Sequence, residues 1–154
     1  MTYEALFVPD GHAPFPHDIV RTEPRLAALV DDYGSGALDH GVVALDGTHP
    51  IGAAWVRLVP GGYGFVADDI PELTIGIVEG RRGQGIGTLM LLGLMPAVEM
   101  PAPGVSLSVD RRNPARHLYE RFDFHEQRVD PPDTIVMVRD FEEKDHPGLA
   151  PLIP

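Results

Sequence analysis

The sequence predicts a mixed α+β domain: a mixed sheet, antiparallel in its first part, with helices on its faces. Three observations lead there. Short apolar runs divided by Gly and Pro turns crowd the first half of the chain, at 41–45, 51–59 and 72–78. The 72–78 run then opens a strand–helix–strand–helix alternation that extends to about residue 122. Two further runs, at 124–129 and 134–140, close the pattern. A length of 154 residues suits one core, so a single domain is expected over 1–141, followed by an acidic and then Pro-rich tail over 142–154.

Each element has its own warrant. The apolar run Ala5-Leu6-Phe7-Val8 leads into a Pro-rich loop carrying His12 and His17. A helix is expected over 22–33, where Thr22 can cap, Pro24 suits a first turn, and Leu26, Leu29 and Val30 share a face. Gly34 and Gly36 end it. Asp46-Gly47 is a hairpin signal between 41–45 and 51–59, the latter run holding Trp55. Gly61-Gly62 turns the chain, and Leu73, Ile75 and Ile77 then alternate to one side of a strand. A Gly-rich loop at 80–87 opens onto an apolar helix over 85–95, which Pro96, Pro101 and Pro103 are expected to terminate. The next strand covers 105–109, and Asn113-Pro114 starts a helix with Leu118 and Phe122 spaced i, i+4. Pro131-Pro132 turns between the last two strands.

Composition removes several function classes. Twelve Lys+Arg against 23 Asp+Glu give a formal charge of −11, which argues against nucleic acid as the main partner. With no cysteine, disulfides, zinc fingers, iron–sulfur clusters and a cysteine nucleophile are all excluded. His12, His17 and His117 have no clear third ligand beside them, so no metal is expected. No apolar run approaches the roughly 20 residues of a membrane helix, and MTYEALFVPDG does not read as a signal peptide. The expectation is a cytoplasmic protein with no membrane partner.

The most informative stretch is Ile77-Val78-Glu79-Gly80-Arg81-Arg82-Gly83-Gln84-Gly85-Ile86-Gly87-Thr88. A strand enters a tight loop that opens directly onto a helix. Glycines let backbone N–H groups converge, the helix start adds a positive dipole end, and Arg81 and Arg82 add charge. Such a loop could hold a pyrophosphate, or could simply pack a helix on a strand. No Gly-Lys-Ser/Thr follows it, and the G-x-G-x-G spacing is not the dinucleotide fingerprint G-x-G-x-x-G.

These residues resemble the GNAT superfamily of acetyl-CoA-dependent N-acetyltransferases. Its Arg/Gln-x-x-Gly-x-Gly/Ala pattern is met by Arg82, Gly85 and Gly87. A second stretch, Asn113-Pro114-Ala115-Arg116-His117-Leu118-Tyr119-Glu120-Arg121-Phe122-Asp123-Phe124, resembles the family's N-x-x-A-x-x-L-Y-x-x-x-G-F. Two departures stand out. Asp123 replaces the usual Gly, so that turn is expected to need another backbone solution, and Pro96 and Pro101 are expected to shorten or kink the first helix.

The resemblance implies a central, mostly antiparallel twisted sheet of about six to seven strands, splayed in the middle and flanked by helices, and direct transfer of acetyl from acetyl-CoA to a primary amine of a small molecule or protein through a ternary complex. A pyrophosphate cradle would be formed by Arg82, Gly83, Gln84, Gly85, Ile86, Gly87 and Thr88. The pantetheine arm would lie along Ile77 and Val78, with a backbone N–H near Val78 facing the thioester carbonyl. Asn113 would bond the arm or cap a helix, and Arg116 would reach the phosphates or belong to a solvated face. Tyr119 matches the family's general acid, the alternative being a core aromatic stacked with Phe122. Glu72 is the candidate base, acting through water, the alternative being a strand-edge carboxylate in solvent. Asp68 and Asp69 could attract a cationic substrate, and His12 and His17 could approach the acceptor, whose pocket the family builds from about 8–36 and 128–134. A non-catalytic acyl-CoA-binding sensor keeps the cradle without the acid and base. The family often forms homodimers, to which 51–59 and 134–138 are the candidate contributors.

Overall fold

A computed structural model describes residues 1–141; the tail expected over 142–154 lies outside the described residues. A 3₁₀ turn at Tyr3–Ala5 opens the chain. Two one-turn helices follow, α1 (Ile19–Thr22) and α2 (Pro24–Ala27), in place of the one helix expected over 22–33. The cause is Pro24. It pushes the residue before it into extended backbone, and Glu23 sits at φ −89°, ψ 113°. The cap is therefore Glu23, whose carboxylate accepts the Arg25 N–H at 3.1 Å, not Thr22.

Six strands form one sheet: β1 (His40–Asp46), β2 (His49–Arg57), β3 (Glu72–Ile77), β4 (Gly104–Asp110), β5 (His125–Asp130) and β6 (Thr134–Asp140). Their order is β1-β2-β3-β4-β6-β5. All neighbours are antiparallel except β3 and β4, which run parallel and meet at one register position, Glu72 opposite Ser106. By contrast, β4 and β6 stay in register from Gly104↔Asp140 to Asp110↔Thr134. The sheet is thus forked. Beyond Glu72 and Ser106 the two strands part toward their C-terminal ends.

Helix α3 (Ile86–Val98) packs on β1, β2 and β3, and α4 (Arg116–Arg121) contributes Tyr119 to the core. The core joins Leu91, Leu94 and Val98 of α3 to Ala54, Leu107 and Met137 of the strands. Pro96 lies inside α3 and does not end it. Proline costs about 3 kcal/mol inside a helix. Burying Val98 completely returns about 1.5–3 kcal/mol, and the lost bond falls on the exposed side of the helix, beside Leu92. A smaller cluster of Leu26, Leu29 and Val59 packs the N-terminal helices on the sheet, where the Trp55 indole N–H donates to the Leu29 carbonyl at 2.9 Å. The runs expected to contribute to a dimer lie largely on the interior strands β2 and β6, and Val56, Ile135, Val136, Met137 and Val138 are almost wholly buried in the core. Among the described residues no helix is long and apolar enough to cross a membrane.

Candidate active site

The fork between β3 and β4 opens into a cavity of about 320 Å³. Strand β3 lines it with Glu72, Leu73, Thr74 and Ile75, and β4 lines it with Ser108, Val109 and Asp110. Asn113 and Tyr119 enter from α4 and the turn before it. The N-terminal segment completes the wall with Leu6, Phe7, Phe15, Ile19, Glu23 and Leu26.

Glu72 sits at the vertex, on the one position where β3 and β4 are still paired. It is 5% exposed, so the solvent-facing alternative is excluded. The cover is the segment after β2. Gly62 and Gly64 press so closely on the carboxyl group that a Cβ on either would collide with it. This strap is fastened on both sides. Arg128 of β5 donates to the Phe65 carbonyl at 2.9 Å, and the Tyr63 ring lies under the Arg25 guanidinium at 5.0 Å. Burial pushes the Glu72 carboxyl up to about 7. The Gly64 N–H, the Arg128 charge and the Ser108 hydroxyl draw it partly back. Its Oε2 is buried without a hydrogen-bond partner of good geometry among the described residues.

Tyr119 is buried, and burial pushes its phenol well above the usual value. Its aromatic partner is Phe124, edge-on at 6.0 Å, not Phe122. Phe124 reaches that place because Asp123 takes a left-handed backbone, φ +63°. The turn needs no other solution: aspartate adopts the glycine conformation, which short polar side chains tolerate. Asn113 Oδ1 accepts the Ala115 N–H at 2.9 Å, so the side chain organises the start of α4 while also lining the cavity.

The Gly-rich loop leads from β3 into α3. Gly83 and Gly85 have φ of +73° and +79°, with open space where a Cβ would stand. Among the described residues, the N–H groups of Gly83, Gln84 and Gly85 donate to no backbone carbonyl. Those of the first turn of α3 are unpaired by the geometry of a helix start. Gly87 serves another purpose: a Cβ there would stand 2.9 Å from Leu118 Cδ2, so this glycine lets α3 and α4 touch. Arg82 is folded back, donating to the carbonyls of Ile77 and Glu4, both at 3.1 Å. Arg81 pairs with Asp46.

A model of the acetyltransferase (GNAT) family matches residues 5–124. The chain belongs to the GNAT acetyltransferase family. No curated protein sequence matches it. Solved structures of acetyltransferases share the fold at low identity. An acetyltransferase from Thermus thermophilus is 19% identical, with a TM-score of 0.60 over 85% of this chain and 79% of that one. The ribosomal-protein-S18-alanine N-acetyltransferase of Escherichia coli is 18% identical, with a TM-score of 0.58 over 85% and 80%. A putative streptothricin acetyltransferase from Bacillus anthracis, solved with acetyl coenzyme A, is also 18% identical, with a TM-score of 0.59 over 72% and 67%.

Within this GNAT fold, Glu72, Asn113 and Tyr119 come together in one cavity, while residues 82–88 stand apart at the start of α3. The Val78 N–H is already donated to the Ile51 carbonyl at 3.0 Å, so it does not face the fork. Strand alternation instead turns the N–H groups of Ile75 and Ile77 that way. Arg116 is held by Glu126 at 2.7 Å and Glu120 at 3.6 Å. Asp68 and Asp69 are exposed and do not line the cavity, nor do His12 and His17, the latter stacked on Tyr3. Glu23, Tyr63, Ser108 and Asp110 line it without having been singled out from sequence. Ser106, Ser108 and Asp110 did carry a signal, a polar residue at every second place of an apolar strand.

Proposed function

We propose that the protein is an N-acetyltransferase that moves an acetyl group from acetyl-CoA directly to a primary amine in a ternary complex. The observation that carries this reading is the joint lining of one fork cavity by a buried carboxyl, Glu72, and a buried phenol, Tyr119. The loop fits the donor: two left-handed glycines with open space beside them and unpaired N–H groups at a helix start suit a pyrophosphate. Gly83, Gln84, Gly85, Ile86, Gly87 and Thr88 would hold it, with the arm along Ile77 and Val78 and beside Asn113. Arg82 and Arg116 would have to leave their present partners to join in. When bound, acetyl-CoA supplies an activated thioester.

The residues of the chain do the rest. An alkylammonium has a pKa near that of lysine, about 10, and gives up its proton poorly to an ordinary carboxylate some six units lower. Held near 7, Glu72 roughly halves that gap, worth about 3 kcal/mol of proton-transfer driving force. Tyr119 stays protonated at every working pH. The same burial opposes release of its proton, so it acts mainly by donating a hydrogen bond to the charge that develops on sulfur.

Calorimetry with acetyl-CoA, beside Gly85→Glu, tests the cradle. Coenzyme A release with an amine panel, beside Tyr119→Phe, tests the chemistry. Binding lost in Gly85→Glu and turnover reduced about 10²-fold or more in Tyr119→Phe are expected. Full acceptor-dependent release in Tyr119→Phe removes that residue from the reaction. Tight binding with no turnover across the panel favours the non-catalytic sensor.

A further inference from the structure

Building on the transferase reading, we infer that the acceptor is a small amine with an apolar body and no carboxylate. Three features of the fork cavity carry this. Its lining includes three carboxylates, Glu23, Glu72 and Asp110, and no Lys, Arg or His among the described residues. Asp110 is paired with Arg112 at 2.7 Å, which lies outside the lining. Glu23 accepts the Arg25 backbone N–H at 3.1 Å and forms no salt bridge among the described residues, the Arg25 guanidinium lying over the Tyr63 ring instead. An ammonium group therefore finds carboxyl groups in the lining, and a carboxylate finds no Lys, Arg or His there to pair with.

The remaining wall is apolar. Phe7, Phe15, Ile19, Leu26 and Leu29 surround the end formed by the N-terminal segment. That surface rewards a ring or branched chain. Size agrees. A cavity of about 150 Å³ holds benzene. The 320 Å³ here has room for one ring with a short amine arm next to an acetyl group.

The test uses the full chain saturated with coenzyme A, which cannot react, and reads binding by calorimetry. The probes are 2-phenylethylamine, phenylalanine and spermidine. 2-Phenylethylamine should bind at least tenfold more tightly than either of the others. Phe15→Ala and Glu23→Gln should each weaken it about tenfold while leaving coenzyme A affinity unchanged; the glutamine retains an oxygen for the Arg25 N–H. Equal or tighter binding of phenylalanine or spermidine overturns the inference, as does full affinity in Phe15→Ala. If coenzyme A itself does not bind, the transferase reading fails on its own. The same three probes titrated into the free protein then decide the cavity's preference by the same criteria.

Discussion

Glu72 is the side chain on which the proposed chemistry most depends. Its raised folded-state value has a consequence for stability whose sign is fixed. Between the ordinary carboxyl value of 4.5 and about 7, the folded protein holds a proton that the unfolded chain has lost. Stability conferred by this group is therefore present in full below 4.5 and declines as pH rises to about 7, by about 3 kcal/mol. Glu72→Gln should remove that slope. Urea denaturation at pH 4 and pH 8 should find the variant similar to wild type in acid and about 2–3 kcal/mol more stable at pH 8, with acetyl transfer impaired. Equal stability of the two proteins at pH 8 would mean that the carboxyl ionises without penalty. The position of Glu72 was legible in the sequence from its place at the start of a strand before the Gly-rich loop. Its burial was not, because that depends on two glycines ten and eight residues upstream folding back over it, and sequence spacing marks Gly61-Gly62 only as a turn.

At the scale of elements, the strap over Glu72 is held by contact at one glycine and by backbone conformation at another. Gly64 has no room: a Cβ would stand 2.9 Å from the Leu107 backbone as well as from the Glu72 carboxyl carbon. Gly61 has φ +73° and open space. Gly64→Ala should cost about 1–3 kcal/mol through overpacking and also lower kcat by shifting Glu72. Gly61→Ala should cost about 1 kcal/mol of backbone strain with kcat retained. Chemical denaturation and steady-state kinetics on both variants separate the two mechanisms; similar kinetic losses would show that the strap moves as a single piece. The strands were the readable elements, since alternation and Gly or Pro turns bracket each of them within about two residues. The helices were less so. Pro24 split one by restricting its predecessor, and Pro96 failed to end another because burial of Val98 offsets much of the propensity cost and the lost bond lies on the exposed side.

The molecule as a whole is two sheet halves, β1-β2-β3 and β4-β6-β5, joined at one backbone register and across a shared core. A ligand lodged in the fork should couple the halves. At one hundred times its dissociation constant, acetyl-CoA should add about 2.7 kcal/mol to stability. For a chain of this size that is a rise in Tm of about 5–10 °C by scanning calorimetry, absent in Gly85→Glu. An unchanged Tm at saturating ligand would mean that the donor does not bind the folded state. The contact between Gly87 and Leu118 also bears on attempts to retool the enzyme. Leu118 precedes Tyr119 on α4, and its Cδ2 occupies the space that any side chain introduced at position 87 would need. Libraries that vary the cradle should therefore randomise 87 and 118 as a pair, so that a smaller residue at 118 can supply the room that position 87 lacks.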